Sequence, residues 1–116
     1  MANSVATYTR TPVRAADAEK IMIQLRLAQN YGGDSPRILM LLNDLVCTYE
    51  AMFEVFETDL SEQGARQLGM IRTLHEQFLQ NLVEYADLIR AQNGEFPRDF
   101  MSFLDHGPYV QPSLAA

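Results

Sequence analysis

Residues 36–57 and 61–92 each carry apolar side chains at helical spacing, over more of the circumference than one partner helix can cover. In the first stretch Ile38, Leu42, Leu45, Tyr49, Met52 and Phe56 recur at alternating steps of four and three. That 3.5-residue repeat makes a seam for a neighbouring helix. Leu39, Val46 and Phe53 widen it on one flank, and Met40, Cys47, Ala51 and Val55 form a thinner strip behind. In the second stretch the seam is Leu68, Ile71, His75, Phe78, Leu82, Tyr85 and Ile89. Adding Met70, Leu74, Leu79, Val83 and Leu88 spreads its apolar arc to roughly 200°, twice what a helix on a core needs. Unbroken, the second stretch would be ~45 Å long at about 1.5 Å per residue.

Punctuation between these stretches sets the expected topology. Asp34, Ser35 and Pro36 supply a cap and a first-turn proline for the 36–57 helix. Residues 59–63 are expected to form the connection, with Ser61 capping the next helix, and Asn93 with Gly94 to stop it. So short a link implies an antiparallel hairpin. An earlier helix is expected to start between Thr11 and Asp17 and to end at Asn30, before Gly32 and Gly33. Within it Ile21, Ile23, Leu25 and Leu27 alternate as in a strand, but the 15–29 window is dominated by strong helix formers. Wound as a helix, it places Ala18, Ile21, Met22 and Leu25 on one side, with Ile23 and Leu27 nearly opposite. A short terminal helix over 97–105 groups Phe100, Phe103 and Leu104. His106, Gly107 and Pro108 then break the chain, and residues 1–10 and 109–116 read as loose tails.

The expected fold is therefore all-α: one domain over 1–116, a long helical hairpin flanked by an N-terminal and a short C-terminal helix. Two helices cannot bury both arcs, and the flanking helices cover only part of the excess. Some apolar surface is left over, which points to self-association as a dimer or to a partner.

Charge narrows the partner. Net charge is −6, and between Arg37 and Arg66 lie six acids, Asp44, Glu50, Glu54, Glu57, Asp59 and Glu62, without a base. Such a surface repels phosphate, so direct nucleic-acid binding is not expected. A solvated helix face accounts for the run more simply than a docking patch for a basic partner. No run of about 18 apolar residues suggests a membrane span, and residues 1–14 lack signal-peptide character, making the cytoplasm the expected compartment. Cys47 is the one cysteine and reads as a small buried hydrophobe.

Catalytic constellations are not evident. His75 sits at a seam position, where a hydrogen-bonded core histidine is commoner than a metal ligand. His106 lies in a breaker segment, the serines lack a nucleophile-elbow context, and there is no phosphate-binding glycine loop. Tyr49 and Tyr85, on facing seams, could line a small pocket, although aromatic packing explains them as well. Neither catalysis, metal nor cofactor is expected.

The segments LMLLNDLVCTYEAMFEVFETDL and LGMIRTLHEQFLQNLVEYADLI, in a short acidic helical chain, resemble the small QslA-like antiactivators of LuxR-type quorum-sensing receptors. The likeness is of overall sequence and size, over essentially the whole length, and no short motif carries it. It implies a protein that binds the ligand-binding domain of an autoinducer receptor, LasR, occupies its dimerisation surface and so prevents binding to promoter DNA. Contact residues are read from periodicity alone: Ile23, Leu27, Leu39, Val46 and Phe53 for the partner, with Met70, Leu74 and Leu88 for self-association. Either set could instead be core. A small helical chaperone or adaptor, cradling an export or regulatory partner on the same hairpin, is the competing expectation.

Overall fold

The computed structural model describes residues 15–32 and 34–109. They form four helices, α1 (Ala15–Tyr31), α2 (Ser35–Gln63), α3 (Leu68–Ala91) and α4 (Phe100–His106), and no strand occurs among them. No helix among the described residues is long and apolar enough to cross a membrane.

The alternation in α1 resolves as a helix with two faces. Ala18 and Leu25 are buried with Ile21 and Met22 packed beside them, whereas Ile23 and Leu27 point away. The earliest expected start, Thr11, lies outside the described residues. At the other end the helix runs one residue beyond Asn30, to Tyr31, before Gly32 turns left-handed at φ 74°. The cap of α2 is the expected one: the Asp34 carboxylate accepts the Arg37 N–H at 2.8 Å, with Pro36 in the first turn.

The expected connection at 59–63 is overturned. Those residues contain neither Gly nor Pro, so α2 continues through Ser61 to Gln63. At about 1.5 Å per residue its 29 residues reach ~44 Å, close to the molecule's longest dimension of 43 Å. The chain turns at Gly64 instead, in the left-handed region at φ 67°. There the Gly64 N–H donates to the Ser61 carbonyl and the Ala65 N–H to the Leu60 carbonyl, a Schellman ending. Helix α3 consequently starts at Leu68, and its 24 residues give ~36 Å in place of the expected ~45 Å. Its far end is the one anticipated: Asn93 takes φ 58°, and the Gly94 N–H donates to the Ile89 carbonyl at 2.8 Å. A Cβ on Gly94 would meet the Ser35 side chain at 3.3 Å, so this stop also seats the end of α3 against the start of α2.

Contacts between α2 and α3 run in opposite order along the chain. Glu57 meets Arg72 and His75, Tyr49 meets Phe78, and Leu39, Leu42 and Val46 lie with Val83, Ala86 and Arg90. The core is built on this pairing. From α2 it takes Ile38, Leu41, Leu42, Leu45, Tyr49 and Phe53, and from α3 Phe78, Leu82 and Ile89; α4 closes it with Phe100, Met101 and Leu104. The ion pair of Arg26 with Asp105 at 2.7 Å ties α1 to α4, and Arg37 to Gln24 at 2.7 Å ties α2 to α1.

Candidate functional site

The sequence-expected contact residues do not share one surface. Ile23 and Leu27 are 58% and 51% exposed on the outer side of α1. Leu39 and Val46 are half-buried and line a narrow crevice with Val83 and Ala86, facing α3 rather than outward. Phe53 is a correction: it is 4% exposed, stacked on His75 and edge-on to Phe78. Helix α3 packs over that flank of α2, so the widened seam is core there. Of the self-association set, Met70 and Leu88 are exposed. They lie about five turns apart on the same side of α3. Leu74 lies between them on the wall of a hollow.

The exposed stripe on α1 is longer than its sequence suggested. Tyr31, 82% exposed, follows Leu27 by four residues and extends the row of Ile23 and Leu27 by one turn. It was missed because the helix was expected to stop at Asn30; the Gly32–Gly33 pair was the available signal. On α2 the thin back strip is also open at Met40 and Val55. Cys47, expected to be a buried hydrophobe, is exposed in this strip.

His75 is 1% exposed and satisfied at both nitrogens. Its Nδ1 lies 2.6 Å from Glu57 Oε2 and its Nε2 2.9 Å from the Tyr109 hydroxyl. An ionised carboxylate only accepts, so Nδ1 carries the proton; in the neutral ring Nε2 then accepts the tyrosine O–H. Tyr109, placed in a loose tail by the sequence, is thus seated beside Phe56 of α2 and His75 of α3. The rest of that expected tail, 110–116, lies outside the described residues, as do residues 1–10. Burial, then the Glu57 charge, push the Tyr109 phenol up; burial, then Tyr109, do the same to Tyr49.

Glu57 joins Glu50, Glu54 and Glu62 of α2 and Glu76 of α3 along an acidic groove in which, among the described residues, Arg72 is the one arginine. Part of the acidic run is therefore more than a solvated face, since Glu57 supports both His75 and Arg72. Tyr49 and Tyr85 do not line a common pocket. Tyr49 lies among Phe53, Phe78 and Met22, whereas Tyr85 faces α4. Its hydroxyl donates to Asp99 Oδ2 at 2.8 Å, and burial followed by this bond pushes the phenol up to about 12.

Groups able to do nucleophilic or metal chemistry are sparse. Ser102 Oγ and His106 Nδ1 lie 3.4 Å apart, but Nδ1 is engaged at 2.7 Å by the Ser102 carbonyl. It must donate there, so it cannot also take the serine proton. Among the described residues no three His, Cys, Asp or Glu side chains gather in a way that could hold a metal ion. Compared with protein-family models, curated proteins and solved structures, the chain finds no match.

Proposed function

We propose that this chain acts by contact, as an antiactivator that binds the ligand-binding domain of a LuxR-type receptor of the LasR kind. Bound there, it covers the receptor's dimerisation surface. Such activators hold two DNA half-sites as dimers, and a receptor kept monomeric loses the gain from simultaneous engagement. The proposal includes an antiparallel α2–α3 hairpin as a rigid frame, a homodimer of the chain, and a mode of action without catalysis or cofactor.

The observation that carries this reading is the row Ile23, Leu27 and Tyr31, three large apolar side chains on consecutive turns of α1 with more than half of each exposed. Apolar anchors on a rigid helix suit a protein-contact surface, with aromatic residues favoured at its centre. The acidic surface agrees with a partner that is protein rather than DNA. Exposed Met70 and Leu88 support self-association through α3. Leu39 and Val46, half-buried in the α2–α3 crevice, become framework in this reading, and Phe53 becomes core.

The test is a gel-shift titration of receptor dimers on promoter DNA with the full chain, together with capture of the isolated receptor domain. The reading requires that DNA binding be lost at near-stoichiometric addition and that the folded receptor domain be retained. If receptor dimers persist on DNA at large excess, the antiactivator role fails. Light scattering of the chain alone tests the homodimer separately.

A further inference from the structure

Between α3, α4 and the 107–108 turn lies a hollow of about 240 Å³ that the receptor-contact reading does not use. Its walls are aromatic. Phe78 and Phe103 stack with centroids 4.9 Å apart and planes within 17°, and Tyr85 stands against Phe103 at 4.9 Å. Leu74 and Pro108 complete the apolar lining.

The polar atoms around it include donors and unfilled acceptors. Among the described residues Asp99 is the one carboxylate lining the hollow, and neither lysine nor arginine joins it. The Tyr85 hydroxyl occupies Oδ2, so Asp99 Oδ1 remains to accept a further donor. His106 donates through Nδ1 to the Ser102 carbonyl, and in the tautomer with its one proton there Nε2 is an acceptor. Among the described residues the side-chain amides of Gln77 and Asn81, also on the rim, have no protein partner. An aromatic-walled site with a single anion and unfilled acceptors complements a ligand that has an aromatic body and a cationic donor head.

We propose that this hollow binds a small arylalkyl amine, its ring against Phe78 and Phe103 and its ammonium at Asp99 Oδ1. An amine of about ten heavy atoms fits the volume and falls in the ligand-efficiency range that gives a Kd of about 0.1–1 mM. The charge of the head group decides between ligands of equal shape. A carboxylate of similar shape would set like charge against Asp99 and find no lysine or arginine among the described lining residues.

Titration of the full chain at pH 7 with phenethylamine and with 3-phenylpropanoate, followed by amide and aromatic NMR shifts, tests the site. The amine should perturb Phe78, Tyr85 and Phe103 and bind about fivefold or more tighter than the acid. Asp99→Asn, an exposed side chain, should remove most of that preference, an effect scaled for a solvent-accessible charge pair. Ser102→Trp, exposed on the rim, should abolish binding while the remaining spectrum keeps its native dispersion. Equal binding of amine and acid overturns the proposal. So does the absence of shifts at these three aromatic residues with millimolar amine, or a preference that survives Asp99→Asn.

Discussion

The ring of Phe53 lies flat on the ring of His75, centroids 3.7 Å apart and planes within 6°. One residue comes from α2 and the other from α3, and both are buried. Substituting Phe53 by Ala should therefore cost about 3–5 kcal/mol, as for other buried aromatics, read as a fall in the denaturation midpoint at unchanged slope. A loss below about 1 kcal/mol would put Phe53 outside the core.

His75 is held by partners on both sides, and removing one leaves a buried nitrogen unpaired. Glu57→Ala should destabilise the fold by about 1–3 kcal/mol, since the N–H of Nδ1 is then unsatisfied. Tyr109→Phe removes one neutral hydrogen bond and should cost about 1 kcal/mol. If Tyr109→Phe is silent in urea melts, the Tyr109–His75 contact adds nothing to stability.

The phenol of Tyr85 gives a pH signature. Unfolded, it ionises near its ordinary value of 10, whereas in the fold it keeps its proton to about 12. Folding favours the neutral form, so this contribution to stability is complete below pH 10 and is lost as pH rises from 10 to about 12. Ultraviolet difference titration should show a late-ionising phenol that disappears in Tyr85→Phe. A titration unchanged by that substitution would contradict the Tyr85–Asp99 bond.

Helix ends offer a graded series. Asp34→Ala should cost about 1 kcal/mol by releasing the Arg37 N–H. Gly64→Ala meets no atom within 4 Å but must hold φ 67°, for about 1–2 kcal/mol. Gly94→Ala adds a tight contact at 3.3 Å with Ser35 to a strained φ of 93°, and its loss should exceed that of Gly64→Ala in the same melt. The reverse order would refute the close approach of α3 to the start of α2.

On the proposed contact surface, Ile23→Asp and Leu27→Asp place charge on side chains already half in water. Both should leave the melting temperature within a few degrees of the parent and abolish capture of the receptor domain. Leu39→Asp charges a half-buried crevice position and should lower the melting temperature. Full receptor capture by both α1 variants would remove that helix from the contact surface.

Much of this framework was legible in the residues. Asp34 with Pro36, and Asn93 with Gly94, act locally, so their capping chemistry could be read without a fold. The seam positions Ile38, Leu42, Leu45 and Tyr49, and His75, Phe78, Leu82 and Ile89, are buried as their spacing suggested. The turn between the long helices was misplaced because Ser61 is a good cap that nothing local forces to act as one. Gly64, three residues on, was the stronger breaker.

The sequence by itself determined helices, their amphipathic seams and most of their stops, because propensity, period and capping depend on residues within a few positions of one another. Only the tertiary structure decided that Phe53 is core and Ile23 surface, though both were expected to contact the partner. It alone brought Tyr109 onto His75, 34 positions away, and Asp99 onto Tyr85 beside an aromatic hollow. A helix with apolar residues on two sides does not specify which side is covered. Burial is settled by where its neighbours pack, and those neighbours are distant in the chain.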